Sequence, residues 1–202
     1  MRNDISVGQV LKGQRAESAA FLLNIPNSLT ILRILLVPVL VGLMVYGHYD
    51  YALVTLLVAA LTDGLDGTIA RMANQRTQLG AYLDPLADKL LIMSTFVTFA
   101  VLGLVPVWSV ILVVSRDAIL LTGTLLARMT ETALNVAPTL LGKATTVSQL
   151  AYIILVVGLN ARHTDVLVLN PLLYGMSALT VISGFHYIAR GLSQFNFPQG
   201  TS

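Results

Sequence analysis

The chain has 202 residues, 55% of them hydrophobic and 11% charged, with a net charge of +2 and a mean hydropathy of +0.78. An average soluble domain is about 25% charged, so a soluble globular fold is excluded. The small, dispersed positive charge excludes a nucleic-acid binder, and the lack of cysteine excludes thiolate metal sites and disulfide frameworks.

Residues 1–20 carry Arg2, Lys12 and Arg15 interspersed with Asp4 and Glu17, and Ile5, Val10 and Leu11 lie among them. They have neither the apolar core nor the cleavage site of a signal peptide. They read equally well as an N-terminal cytoplasmic arm or as an amphipathic helix on the membrane surface. Residues 21–192 read as one membrane domain, cut by Gly, Pro and charged residues into about six stretches of bilayer-crossing length. The expected spans lie near 28–47, 51–73, 81–103, 106–128, 145–160 and 170–191. Pro26 and Asn27-Ser28 suit the start of the first, Gly47-His48-Tyr49-Asp50 forms a short turn, and Gly103 with Pro106 closes a hairpin. Residues 193–202, with Asn, Pro and Gly, read as a disordered C-terminal tail. The fold class is therefore an all-α, multi-pass integral membrane protein, a bundle of about six transmembrane helices.

Arg2, Lys12, Arg15, Arg71, Arg76, Arg128, Lys143 and Arg190 fall on one side of these spans, and Arg162 alone falls on the other. By the positive-inside rule this puts both termini, and the loops after spans two and four, in the cytoplasm. His48 and His163 then lie in outer loops, and His186 reads as a polar residue at the interface.

Acidic residues interrupt the apolar pattern in two places: Asp63 and Asp66 in one stretch, Asp84 and Asp88 in the next. A carboxylate at membrane depth costs several kcal/mol, so four need compensation. Spacings of three and four put each pair on one face of its helix. The short connection 72–79 makes the two helices antiparallel neighbours, so the four carboxylates converge. Like charges that close call for cations, and oxygen donors without thiolates suit magnesium, manganese or calcium. Buried salt bridges would be a blander account, but only Arg71, Arg76 and Lys89 are basic in this stretch, and the last two read as cytoplasmic anchors. Gly67 continues the Asp63 and Asp66 face and would let a ligand approach the backbone, whereas Gly64 reads as a helix-packing residue. Arg71 supplies a forked cation suited to phosphate. Asp84, just before Pro85, suits a helix cap.

These residues resemble the CDP-alcohol phosphotransferase family, whose pattern is D-x2-D-G-x2-A-R-x8-G-x3-D-x3-D. Asp63, Asp66, Gly67, Ala70, Arg71, Gly80, Asp84 and Asp88 fill every fixed position, over 26 residues. The resemblance implies a transferase that joins an alcohol to the phosphatidyl group of CDP-diacylglycerol and releases CMP, with two divalent ions, Mg2+ or Mn2+. By position, Asp63, Asp66 and Asp84 look like metal ligands, and Asp88 resembles the aspartate that both faces the metals and acts as general base. Gly67, Arg71 and Thr77 match positions near the cytidine diphosphate, and Asn27 and Thr30 line the same pocket from the first span. The resemblance also implies a site facing the cytoplasm, membrane lipids as surroundings and a homodimer as a common assembly.

For the acceptor, Arg116, Lys143 and Arg190 are the candidate cations, since an acceptor with its own phosphate needs a basic pocket. Arg116 beside Asp117 also reads as a structural pair, and Arg190 as an interface anchor. Asn24 to Thr30 with Arg33, and Gly142-Lys143 with Thr145, Thr146 and Gln149, look most like the phosphatidylglycerophosphate synthases of the family, which take sn-glycerol 3-phosphate. The same features are similar to its cardiolipin synthases, which take phosphatidylglycerol. The competing class is a divalent-cation transporter, but its path needs acidic ligands at several depths.

Overall fold

A computed structural model describes residues 25–73, 80–129 and 139–195; the side chains of 25–27, 29, 63–73, 80–85, 125–129 and 191–195 lie outside that description. The described residues form six long helices, α1 (Ile25–Val45), α2 (Tyr49–Ala73), α3 (Gly80–Val101), α4 (Val107–Met129), α5 (Leu140–Ala161) and α6 (Asn170–Phe195), with a 3-10 turn at Val166–Leu169 before α6. Each apolar segment is too long for a strand, and in lipid a helix satisfies its backbone groups within the segment.

The same backbone device closes all three turns at one end of the bundle. Gly47 (φ 77), Gly103 (φ 70) and His163 (φ 54) take the left-handed conformation. The next residue donates back across the turn each time: His48 N to Leu43 O at 2.8 Å, Leu104 N to Phe99 O at 2.9 Å and Thr164 N to Leu159 O at 2.9 Å. This reversal satisfies carbonyls that a helix end leaves orphaned. The glycine turns match the sequence expectation, while the third places a histidine where glycine costs less.

Two boundaries differ from the expected ones. The fifth helix begins at Leu140 rather than near 145, because the Thr139 hydroxyl caps it, accepting from Gly142 N at 3.0 Å. Lys143 therefore lies inside the first turn and does not mark its start. The sixth runs to Phe195, so helix covers the first part of the expected 193–202 tail. Residues 1–20, Thr77 and the end of the tail lie outside the described residues.

α1 packs against α2 and α3, α2 also against α5, α3 against α4 and α5, and α6 against α4 and α5. The expected neighbouring of α2 and α3 falls on their motif ends, whose side chains lie outside the description. The apolar face of α1, with Leu36, Val37, Leu40 and Met44, packs beside both, and α2 and α3 both line a cleft.

Polarity is inverted relative to a soluble protein. Leu35, Val54, Leu61, Ile111, Val147 and Phe185 are exposed, while Thr95, Ser109, Thr145, Gln149, Ser177, Thr180 and Ser183 are buried. Small hydroxyl residues allow close helix approach, and an apolar exterior suits lipid. By length and composition, three segments among the described residues suffice to cross a membrane: Val107–Thr124, Leu140–Ala161 and Val166–Arg190. Among the described residues α1 and α2 also carry apolar stretches, Thr30–Val45 and Tyr49–Thr62. In the half near the glycine turns, Phe96 stacks on Tyr152 at 6.2 Å between ring centroids and meets Phe99 edge-on. Met44, Leu56, Val113, Ile153 and Met176 complete that core.

Candidate functional site

At the opposite end, where α1, α3 and α5 begin and α2, α4 and α6 finish, a cleft of about 80 Å3 opens among four helices. Arg33 of α1, Ala59 and Ala60 of α2, Asp88, Leu91 and Ile92 of α3, and Thr146 and Leu150 of α5 line it. Ala59 and Ala60 lie one helical turn before Asp63, so the register carries positions 63 and 66 along the cleft-lining face of α2. Position 84 precedes Asp88 by one turn on α3. Of the four aspartates, Asp88 is the one whose described side chain lines the cleft.

Asp88 accepts from Arg33 NH1. The arginine is almost wholly buried and the aspartate side chain is 40% exposed, so the carboxylate remains open to the cleft while a fixed cation holds it. Sequence reasoning missed this role for Arg33, having sought cations for the aspartates only nearby in the chain. The available signal was an arginine inside an apolar span. Thr30, one turn before Arg33, is also buried.

A second ionic group lies beside the first. Asp117, fully buried, accepts from Arg116 NH1 at 2.6 Å and from Lys89 Nζ at 3.1 Å. Lys89 also donates to Thr146 Oγ1 at 3.4 Å. Arg116 NH2 donates to Ser183 Oγ at 3.0 Å and to the Gly142 carbonyl at 3.3 Å. A Cβ at position 142 would lie 3.2 Å from Thr139 Oγ1 and 3.5 Å from Arg116 NH2, so glycine leaves room for both the cap and the arginine. The reading of Lys89 as a cytoplasmic anchor is corrected: its side chain is only 17% exposed and spans from α3 to α4 and α5.

The expected site residues divide into three groups. Asp88 and Thr30 are described in full, on α3 and α1, which pack against each other. Asn27, Asp63, Asp66, Gly67, Arg71 and Asp84 are placed by backbone on α1, α2 and α3 at this end of the bundle, and Thr77 falls outside the described residues. Of the acceptor cations, Arg116 is buried and held by Asp117, Ser183 and Gly142. Lys143 is exposed in the first turn of α5, and Arg190 is half-buried near the end of α6. His48, His163 and His186 are exposed.

An all-helical bundle with an apolar exterior and a cleft at one end, lined by Asp88, has the architecture of a membrane-embedded protein. A model of the CDP-alcohol phosphatidyltransferase family matches residues 23–183, and the chain belongs to that family. It is 33% identical over 178 residues to a Mycobacterium tuberculosis protein named "Probable phosphatidylglycerophosphate synthase", covering 84% of this chain and 82% of that one. It is 44% identical over 106 residues to the human "Cardiolipin synthase (CMP-forming)", covering 52% of this chain and 35% of the human one. A Drosophila melanogaster "Probable cardiolipin synthase (CMP-forming)" is 32% identical over 195 residues, covering 88% and 61%. The chain thus spans less than two thirds of the length of these cardiolipin synthases.

The family uses divalent metal ions. The donor chemistry here fits them in one respect: Asp88 turns a half-exposed carboxylate to the cleft, whereas Asp117 is wholly buried against two cations. Among the described side chains no group of three or more His, Asp or Glu assembles.

Proposed function

We propose that the chain transfers the phosphatidyl group of CDP-diacylglycerol to sn-glycerol 3-phosphate, giving phosphatidylglycerophosphate and CMP. The observation that carries this reading is the complete eight-position motif in a chain of this family, bordering a cleft into which Asp88 opens. Asp63, Asp66, Asp84 and Asp88 would hold two divalent ions, Mg2+ or Mn2+, which when bound neutralise the diphosphate and favour departure of CMP.

The residues do the rest. Asp88 accepts the proton of the acceptor hydroxyl as its oxygen attacks the phosphorus that carries diacylglycerol; the bond to the bridging oxygen breaks and that oxygen leaves with CMP. Arg33 holds the Asp88 carboxylate in place. Gly67, Arg71 and Thr77, with Asn27 and Thr30 from α1, would bind the cytidine diphosphate. Lys143 and Arg190 would receive the acceptor's phosphate, with Arg116 shaping the pocket from behind. The site would face the cytoplasm, where nucleotide and water-soluble acceptor reside while the acyl chains stay in the bilayer.

The acceptor rests on a match that covers more than four fifths of both chains. The test is CMP release by purified protein with Mg2+ or Mn2+, CDP-diacylglycerol and a set of acceptors. Glycerol 3-phosphate is expected to support turnover, and Asp88→Asn to abolish it. Turnover with phosphatidylglycerol alone would move the assignment to cardiolipin synthase, and no CMP with any alcohol would overturn the transferase reading. Divalent-cation transport is disfavoured by the family membership.

A further inference from the structure

We infer that Lys89, held by Asp117, is a positioning residue that sets the rotation of α3 and thereby the aim of Asp88; the inference rests on the transferase reading above.

Asp88 and Lys89 are consecutive on α3, so their side chains leave the helix about 100° apart. Asp88 turns to Arg33 and the cleft, while Lys89 turns to Asp117 on α4 and Thr146 on α5. The two contacts grip the helix from two sides at the level where it enters the site. Thr146 lines the cleft itself, so the Lys89 anchor reaches the wall that α5 supplies.

Charge balance favours this role over a purely structural one. Asp117 is already neutralised by Arg116, whose fork also reaches Ser183 and the Gly142 carbonyl and so fastens α4 to α5 and α6. Fold stability would be served by that pair alone. A second, mostly buried cation on the same carboxylate adds a desolvation cost. What it adds in return is a connection from α3, the helix that carries Asp84 and Asp88, to the clamped α4–α5–α6 unit.

The test uses Lys89→Met, which keeps side-chain length and leaves the Arg116–Asp117 pair intact, and Lys89→Arg, which keeps the charge. Lys89→Gln is a second neutral variant should the first not fold. With CDP-diacylglycerol, Mg2+ and the acceptor found active, Lys89→Met is expected to lower kcat by about a hundredfold, the scale of a small misplacement of a reacting group. KM values should be unchanged, and Lys89→Arg should recover most of the rate. The chain has no native cysteine, so Ala60→Cys with Ile92→Cys, both lining the cleft, bridged by a bifunctional thiol reagent, reports the rotation of α3 directly. Cross-linking between them is expected to slow several-fold with Lys89→Met and to recover with Lys89→Arg. Wild-type kcat in Lys89→Met overturns the proposal, as does a raised acceptor KM at constant kcat, which would make Lys89 a ligand contact. An unchanged cross-linking rate overturns it independently of turnover. If the unsubstituted protein releases no CMP with any acceptor, the transferase reading fails by itself, and the cross-linking rates still decide whether Lys89 sets the rotation.

Discussion

The two ends of the bundle are held by different forces. Near the glycine turns, Phe96, Phe99 and Tyr152 lock α3 to α5 through ring contacts within an apolar core. Near the cleft, Asp117 binds cations from α3 and α4, and Arg116 extends the tie to α5 and α6. Apolar contacts are tolerant of sliding, whereas ion pairs and forked hydrogen bonds fix direction. The difference teaches where the molecule needs orientation: only the cleft end must aim a carboxylate.

Substitutions at each end should separate the two kinds of force. Asp117→Ala leaves Lys89 and Arg116 buried without their shared carboxylate, a loss of about 3–5 kcal/mol. Thermal unfolding in detergent should show this as the largest drop, with CMP release falling as well. Phe96→Ala at the other end creates a cavity, but the exchange of apolar contacts for lipid recovers little, so a loss of about 2–3 kcal/mol is expected. The protein that stays folded should keep its turnover, which separates the two ends. His163→Gly should act in the opposite direction and weakly. It relieves the left-handed strain at φ 54 at the cost of chain entropy, for a net gain of about 0.5 kcal/mol in the same unfolding assay.

Much of this was legible in the sequence. Six apolar segments became six helices, and Gly47 and Gly103 marked their turns because only a residue without Cβ enters the left-handed region cheaply. The start of α5 lies five residues before the expected 145 because the Thr139 hydroxyl caps the helix upstream of Gly142-Lys143. His163 carries a turn with no glycine to announce it. The acidic motif was legible because its spacing is local to two helices. Arg33 and Lys89 were not, since their partners lie on other helices, 55 and 28 positions away in the chain, and no periodicity within one helix encodes such a pairing. Lys89 read as an anchor because its partners, Asp117 and Thr146, belong to helices later in the chain. Only packing reveals that it points inward.

The polarity of the bundle has a further consequence. Leu35, Val54, Ile111, Val147 and Phe185 stand exposed, and in water such surface favours association between copies over a dispersed chain. A detergent micelle or a bilayer is therefore part of what keeps the folded chain in solution, and unfolding and turnover measurements report on protein and amphiphile together.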